Sequence, residues 1–419
     1  MNKHFASSSK NLARRHRFEA FFKWFGRISI FFALGFLVLM LAIIANMGAG
    51  ALKQTRIALD VPLPQEYFNG NSLENADYDG LVRSALWQRF PDVTSRSQKR
   101  QLNRLLSIEA PFTLRNYVVE NPGAIGGMAR LWFIASDDVD LFFKGSIEQA
   151  LEGNAGRLPE EAVAWVNELR ADQAIETVFN FDFFTRGDSR EPELAGIFSA
   201  LVGTALSLVI CLAISFPIGV LSAIYLEEFV TRSRWSDFIE INITNLAAVP
   251  SIVFGILGLT IFINGFGLPR SSPLVGGMVL ALMTLPTIII ASRAALRSVP
   301  VSIRHAAIGL GATPVQTVFH HVTPLAMPAM LTGTIIGMAR ALGETAPLLM
   351  IGMVAFIVDV PDSILAPATA LPVQIFLWAD SPQRAFLEKA SAAIIVLVTF
   401  LIIMNLGAIL LRQKFQKKF

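Results

Sequence analysis

The chain has 419 residues, of which 53% are hydrophobic and only 16% are charged. About a quarter of the residues in an ordinary globular protein are charged, so this composition excludes a fully soluble chain, and it also excludes disorder and collagen. Residues 48–193 carry 15 Lys/Arg and 22 Asp/Glu, whereas the remainder carries 20 and 10. The single cysteine, Cys211, cannot form an internal disulfide. These features predict a membrane protein with one acidic, soluble-like segment.

Six apolar segments are long enough for a membrane-spanning helix, which needs about 20 residues. A basic tail, 1–27, precedes the first segment, 28–47. This segment exceeds the roughly 7–15 residues of a signal-peptide core, so we expect a retained anchor, with a cleaved signal peptide as the alternative. The next segment is 196–225, and the others are 241–263, 274–292, 325–358 and 390–411, before a second basic tail, 413–419.

The positive-inside rule orients these spans. Lys and Arg number 16 in the two tails and in the segments between spans two and three and between spans four and five, against three in the short opposite loops. The 48–193 segment is left out of this count because long domains translocate largely regardless of their charge. The distribution predicts that both termini are cytoplasmic and that residues 48–193 lie outside the cytoplasm.

The acidic segment 48–193 is interpreted as a mostly helical accessory domain, with helical signals rather than strands. Residues 160–172 have apolar residues at helical spacing, and Pro and Gly residues divide the rest into short pieces. The candidate core side chains are aromatic: Trp87, Phe90, Phe112, Tyr117, Trp132 and Phe133. The segment contains no histidine, cysteine or glycine-rich phosphate loop, so a docking or structural role is favoured over a catalytic one.

Catalytic and metal-binding chemistry is poorly supported in the rest of the sequence. No G-x-x-x-x-G-K-[ST] loop occurs, so we expect no nucleotide site of that type and no cofactor in this chain. The pair His320–His321 is a weak metal candidate, because adjacent residues of a helix point about 100° apart and no third ligand lies nearby. If this membrane protein is an energy-driven transporter, its energy must therefore come from a partner protein or from an ion gradient.

Span five contains two ionisable residues, Arg340 and Glu344, followed by Thr345 and Pro347. Charges inside a membrane are costly, so they usually face a bundle interior or a wet pathway. Arg340 and Glu344 lie four residues apart on one helix face, where they can form a self-neutralising structural pair. Alternatively, Arg340 handles an anion, since its planar fork donates two parallel hydrogen bonds to an oxyanion. We favour a translocation pathway containing Arg340, Glu344 and Thr345, with a kink at Pro347.

The loop 293–324, between spans four and five, is amphipathic and is predicted to be structured. Ser302 is a candidate N-cap of a short helix that stops at Gly311, and Thr313 followed by Pro314 would begin a second helix. Two short helices at the membrane face are well placed to receive a soluble partner.

This loop resembles the E-A-A coupling motif of ABC-importer permeases, which has a glycine six residues after its glutamate and a proline near its end. The corresponding residues are Arg304, His305, Ala306, Ala307, Gly311 and Pro324. The runs N-L-A-A-V-P-S-I-V-F-G-I-L-G (245–258) and A-L-G-E-T-A-P-L-L (341–349) are similar to those of PstA permeases, the membrane subunits of phosphate-specific ABC importers. The resemblance covers about residues 195–412, and residues 48–193 resemble an N-terminal extension of unknown function that some of these permeases carry.

Several positions depart from the motif. His305 stands in place of the glutamate, His321 in place of an aliphatic residue and Thr323 in place of a leucine. The chain has no carboxylate between Glu240 and Glu344. The loop therefore lacks its usual anchoring carboxylate, and we expect its contacts to differ from the standard ones.

The resemblance implies an all-α integral membrane protein with six transmembrane helices and a permease core at 194–412. Its implied activity is ATP-driven transport of inorganic phosphate across the bacterial inner membrane. The implied partners are a PstC-like second permease, a dimeric PstB-like ATPase that binds ATP and Mg²⁺, and a periplasmic PstS-like phosphate-binding protein. The chain itself would be neither an enzyme nor a nucleic-acid-binding protein.

Three alternative functions remain open. They are a permease for another oxyanion such as sulfate or molybdate, an ion-coupled secondary transporter, and a membrane-anchored sensor. Secondary transporters commonly contain inverted repeats, and no convincing internal repeat is visible in this sequence. A sensor needs one anchor, so the five further spans argue against it.

Overall fold

The computed structural model describes residues 2–68, 73–145, 158–231, 233–354 and 356–415. Its first element, α1, is one helix from Asn2 to Gly48 and contains the predicted anchor 28–47. The large apolar side chains of this helix from Phe18 to Val38 are exposed. A helix that is apolar all round is typical of a membrane span.

The 48–193 domain contains a three-stranded antiparallel sheet. Strand β1 (Lys53–Pro62) is central and pairs with β2 (Met128–Ile134) on one side and with β3 (Ile175–Phe179) on the other. Ile57 of β1 lies opposite Phe133 of β2, and both side chains are fully buried. The expectation of helical segments rather than strands is therefore wrong at these three places. The strands pair with distant parts of the chain, so spacing within a local window does not reveal them.

Six α-helices accompany this sheet among the described residues of the domain, and several of them pack against its strands. They are α2 (Tyr78–Arg89), α3 (Arg96–Asn103), α4 (Ala110–Glu120), α5 (Asp137–Phe143), α6 (Glu160–Ala171) and α7 (Asp182–Thr185). The prediction of aromatic core residues is right for four side chains that are buried or half-buried: Phe90, Tyr117, Trp132 and Phe133. It is wrong for Trp87 and Phe112, which are exposed. Trp87 donates a hydrogen bond from Nε1 to Asn103 Oδ1 at 3.2 Å, so its polar edge keeps it at the surface.

The membrane core, residues 194–412, is built mainly of helices. The long apolar helices are α8 (Phe198–Ile224), α11 (Pro273–Arg297), α14 (Thr323–Gly343) and α17 (Arg384–Phe415). Shorter helices connect them: α9 (Arg234–Ala247), α10 (Ser251–Leu257), α12 (Val301–Gly309), α13 (Pro314–Gln316), α15 (Ala346–Met350) and α16 (Leu371–Ala379). Among the described residues, five helices are long and apolar enough to cross a membrane, or six if a bent pair forms one span. The chain is a multi-pass membrane protein.

The third predicted span, 241–263, is not one straight helix. Helix α9 and the helix formed by α10 and its π-helical continuation to Gly265 are bent by 103° relative to each other. The break lies next to Pro250, which has no backbone N–H and disfavours helical conformation in the residue before it. The prediction of a continuous third span is therefore wrong.

The fifth predicted span, 325–358, ends earlier than expected. Helix α14 stops at Gly343, and Glu344 has an extended backbone with φ −80° and ψ 119°. Pro347 lies in the first turn of α15, where the missing N–H of proline is tolerated. The expected kink at Pro347 is instead a break between two helices, and Glu344 lies just beyond the helix that carries Arg340.

Helix α11 is central in the membrane core, because it packs against both α8 and α14. Its buried face includes Val275, Val279 and Ile288, which are fully buried. This packing positions α14, which carries the motif residue Pro324 in its first turn and Arg340 in its last turn.

The 48–193 domain packs directly on the membrane core. Trp378 of α16 donates from Nε1 to Asp188 Oδ1 at 3.1 Å, and Lys389 of α17 places Nζ 5.2 Å from the centroid of the Phe183 ring. Trp378 and Lys389 are both buried. The junction is therefore part of the protein interior, with direct side-chain contacts across it.

Candidate functional site

The predicted coupling loop forms helix α12 and a capped turn. Helix α12 begins after Pro300, and the chain reverses at Gly311, whose φ of +90° favours glycine. Thr313 then caps the following helix. Its Oγ1 accepts a hydrogen bond from the backbone N–H of Gln316 at 3.3 Å, and its own N–H donates to Gln316 Oε1 at 3.0 Å. This reciprocal capping explains why a new helix starts at this point.

Two details of the loop differ from the prediction. Ser302 is not an N-cap, because it lies within the first turn of α12, after Pro300. The second helix is not short, since it runs without interruption from Pro314, through the π-helical turn Thr317–Val322, to Gly343. The loop is thus one short helix joined by a single turn to a membrane-spanning helix.

The motif residues divide between two sides of α12. Arg304 is half-buried and Ala307 is buried, whereas His305 and Ala306 are exposed. Leu310, beside the glycine turn, is 91% exposed. The helix and turn together expose four apolar side chains: Val301, Ile308, Leu310 and Val315. An exposed apolar patch of this kind is suited to contact with another protein.

Arg304 is held by an ion pair that the sequence analysis did not find. It donates from Nη2 to Glu228 Oε1 at 2.6 Å and from Nε to Glu228 Oε2 at 3.1 Å, a bidentate geometry. It also donates to the carbonyl oxygens of Val299 at 2.7 Å and Leu296 at 3.0 Å. The hydrogen bond to Glu228 raises the pKa of Arg304. The loop itself has no carboxylate, as expected, and the turn directly after α8 supplies the one that pairs with Arg304.

A second group of ion pairs joins the end of α11 to the same region. Arg293 lies 3.3 Å from Glu227 through Nε and Oε2, and 2.9 Å from Glu240 through Nη2 and Oε2. Arg297 Nε lies 2.8 Å from Glu227 Oε1. Glu227 belongs to the π-helical turn Tyr225–Phe229, directly after α8. The sequence signal for this network is a pair of adjacent carboxylates at the end of span two, on the same predicted membrane side as the loop arginines.

The three residues predicted for the pathway lie at the other end of α14. Arg340 Nε is 3.5 Å from Glu344 Oε1, and the side chains are 52% and 19% exposed. Thr345, the next residue, is half-buried. Pro324 is exposed in the first turn of α14, and a helix rise of about 1.5 Å per residue puts it about 24 Å from Arg340. The motif residues and the pathway residues therefore form two separate sites.

Metal ligands are not grouped in the part of the chain that the structure describes, where no cluster of three His, Cys, Asp or Glu side chains is found. His320 and His321 are exposed on the π-helical turn before α14. Cys211 is buried, with Sγ 3.5 Å from Thr284 Oγ1. The candidate sites consist of ion pairs, a capped turn and exposed apolar side chains.

Comparison with known proteins covers both halves of the chain. Residues 215–418 match the binding-protein-dependent transport system inner membrane component family, and residues 9–152 match a domain of unknown function, DUF3333. The phosphate transport system permease protein PstA 1 of Mycobacterium tuberculosis (strain CDC 1551 / Oshkosh) is 30% identical over 227 residues, which are 54% of this chain and 74% of that protein. This chain belongs to the PstA permease family.

Two further similarities concern the same half of this PstA-family chain. The PstA protein of Xylella fastidiosa (strain 9a5c) is 30% identical over 236 residues, which are 56% of this chain and 81% of that protein. A solved inward-facing structure of the MetNI methionine ABC transporter has a TM-score of 0.42 and 15% identity, over 53% of this chain and 95% of that chain. The DUF3333 match ends before α6 and β3, so it contains only part of the 48–193 domain.

Proposed function

We propose that this chain is the permease subunit of an ATP-driven ABC importer that carries inorganic phosphate across the bacterial inner membrane. The observation that carries this proposal is membership of the PstA family, whose named relatives are phosphate transport permeases. The coupling loop supports it, because α12 and the Gly311 turn present an exposed apolar patch beside a membrane helix. The sequence contains no Walker-type phosphate loop, which assigns ATP hydrolysis to a partner subunit.

The proposed assembly contains a PstC-like second permease, a dimeric PstB-like ATPase and a PstS-like phosphate-binding protein. Both termini and the coupling loop are proposed to lie in the cytoplasm and residues 48–193 in the periplasm, and the Lys/Arg distribution supports this orientation. The ATPase contacts the exposed side of α12, which includes His305 and Ala306, and the adjacent side chain of Leu310. This arrangement gives the loop a mechanical task that a secondary transporter would not need.

Arg340, Glu344 and Thr345 are proposed to line the translocation pathway. Arg340 is half-exposed in the single chain, as expected for a side chain that faces a space shared with a second permease subunit. Its guanidinium suits phosphate because the planar fork can donate two hydrogen bonds to one oxyanion. Glu344, 3.5 Å away, moderates that charge so that phosphate can also leave.

The test is uptake of radiolabelled phosphate by proteoliposomes that contain this chain, the second permease and the ATPase. We expect uptake that requires internal ATP and external binding protein, and that resists both a protonophore and competition by sulfate or molybdate. Preferential uptake of sulfate or molybdate would support the other-oxyanion alternative. Uptake that needs an ion gradient but no ATP would support a secondary transporter.

A further inference from the structure

The turn at the end of α8 directs two adjacent carboxylates to two different helices. Glu227 pairs with Arg293 of α11, and Glu228 pairs with Arg304 of α12. Successive residues of a helix point about 100° apart, which allows neighbours to reach different partners. The turn itself, Tyr225–Phe229, is π-helical, and such local irregularities frequently occur at functional positions.

We propose that the Arg304–Glu228 pair is the connection through which a movement of α12 is transmitted to the membrane helix α8. The inference rests on the proposed function, because it assumes that a partner moves α12. It assigns to Glu228, which lies outside the coupling motif, a positioning role in transport.

The first argument is the geometry of the pair. The Arg304 and Glu228 side chains are only 19% and 8% exposed, so solvent screens their attraction much less than that of a surface pair. Two parallel hydrogen bonds fix the angle between guanidinium and carboxylate as well as their separation. Hydrogen bonds from Arg304 to Leu296 and Val299 attach the same group to the end of α11.

The second argument is that α12 has little buried apolar packing, and that it packs mainly against the π-helical turn Thr317–Val322 and not against α8. Ala307 is the only buried residue among the nine residues of this helix, and Ile303 is half-buried against the neighbouring apolar cluster. Apolar packing is non-directional, and one alanine contributes little of it. Buried ion pairs add little net stability but have defined geometry, so the Arg304–Glu228 pair determines the orientation of α12 relative to α8.

The neighbouring carboxylate provides an internal comparison. Glu227 pairs with α11, which already packs against α8. Loss of the Glu227 charge should therefore lower stability without disconnecting the two helices. Loss of the Glu228 charge should remove the ion pair between α12 and the turn after α8, while α8 and α11 remain packed.

The experiment compares Arg304→Gln, Glu228→Gln and the double variant in the complete importer. In proteoliposomes, the phosphate transported per ATP hydrolysed is measured and normalised to the amount of assembled complex. We expect each single variant to lower this ratio about tenfold, because each leaves a buried charge without its partner. The double variant should lower the ratio no more than either single variant, since the two residues act as one unit.

Two further variants serve as controls. Glu227→Gln should keep the ratio of phosphate transported to ATP hydrolysed while it lowers the thermal stability. Arg83→Gln, in an exposed pair with Asp79, should change neither quantity.

Several outcomes would overturn the proposal. One is a wild-type ratio in both single variants, and another is a loss of uptake that only follows the loss of assembled complex. A third is a double variant whose loss equals the product of the single losses, which would mean independent roles. The wild-type importer separates the two proposals. Absence of ATP-dependent phosphate uptake by the wild type contradicts the proposed function, whereas wild-type uptake with unaffected variants contradicts this inference alone.

Discussion

Gly311 turns the chain between α12 and the helix that begins at Pro314. Its φ is +90°, a conformation that costs an L-residue roughly 1–2 kcal/mol. A Cβ added at this position would meet no atom within 4 Å. A substitution at Gly311 therefore strains the backbone of the turn and does not collide with another part of the described chain.

The Gly311 variants follow from that backbone strain. Gly311→Asn should keep most of the uptake, because asparagine tolerates the left-handed conformation, whereas Gly311→Ala should reduce it several-fold. Gly311→Glu should uncouple the complex, since it adds a charge at the proposed ATPase contact. Copurification of the ATPase and phosphate uptake measure both effects. Gly309→Ala is the matched control, because Gly309 is helical and equally open. Normal association and uptake in Gly311→Glu would exclude this loop as the docking site.

Arg340 and Glu344 form the other residue-level prediction. Arg340→Gln should abolish phosphate uptake while assembly with the ATPase stays near wild type, because the anion loses its charged donor. Uptake and copurification from the same membranes measure the two effects. If both single variants fail to assemble, and Arg340→Leu combined with Glu344→Leu restores full uptake, then the pair is structural.

Among the helices, α10 and α15 each follow a break in a predicted span, and they pack directly against each other. A Cβ at Gly255 of α10 would lie 2.7 Å from Pro347 Cα and 2.9 Å from its carbonyl oxygen. The two backbones therefore touch, and only glycine fits between them. This contact supports the bend after α9 and positions α15, which follows Glu344.

Gly255→Ala should destabilise this contact, by about 1–3 kcal/mol for overpacking against backbone atoms, and Gly255→Val should do so more strongly. Thermal unfolding of the detergent-solubilised chain measures the change. Gly337→Ala on α14 is the control, because its Cβ would meet side-chain atoms at 3.7 and 3.9 Å, an ordinary contact distance. An equal loss of thermal stability in the variants at positions 255 and 337 would mean that the close approach of the α10 and α15 backbones does not restrict position 255.

At the scale of the whole molecule, the junction between the 48–193 domain and the membrane core contains a buried acid, Glu193. Burial raises its pKa to about 7 from the ordinary 4.5, against a hydrogen bond with Ser107 that lowers it. Asp137 and Glu191 raise it further, while Lys389 lies close enough to interact with it. In this case the folded state favours the protonated form. The junction is therefore most stable below the unfolded pKa and loses stability as the pH rises toward 7.

Glu193→Gln should remove that pH dependence, because glutamine stays neutral. The gain in unfolding free energy should be on the order of 3 kcal/mol at pH 8 and much smaller at pH 5. Thermal unfolding of the wild type and the variant at both pH values measures the difference. A gain of equal size at pH 5 and pH 8 would mean that ionisation of Glu193 is not the cause.

The 48–193 domain is predicted to be dispensable for the transport step itself. Its excess of Asp and Glu over Lys and Arg repels phosphate over roughly a Debye length of 8–10 Å, so it is unsuited to capture the anion directly. The junction contact of Asp188 with Trp378 and the hydrogen bond of Asn180 to Ala51 should be kept, so the deletion removes 54–178 and inserts a flexible linker.

Uptake in that deletion variant should fall at limiting binding protein and recover when the binding protein is in excess. The physical reason is that the domain affects only the rate at which the binding protein docks on the permease, and excess binding protein compensates for a slow docking rate. Initial rates across a range of binding-protein concentrations are the measurement, with ATPase copurification as the control for assembly. Complete loss of uptake in an assembled variant would assign the domain an essential role.

The membrane class, the helix stop at Gly311, the helix start at Thr313 and the pairing of Arg340 with Glu344 could all be predicted from the sequence alone. Each of these depends on composition or on residues within one or two helical turns, so the information is local. The resemblance to the permease family was also visible in the sequence, because the E-A-A-like motif consists of residues close together in the chain.

The partner of Arg304, the strands of the 48–193 domain and the bend beside Pro250 became known only from the folded structure. Glu228 lies 76 positions before Arg304, and β1 pairs with segments from the middle and the end of its domain. Apolar composition alone could not separate a straight span from two helices at 103°. For the ion pair and the sheet, the deciding free energy comes from contacts between residues that are far apart in the chain, and hydrophobic spacing within a window carries no record of them.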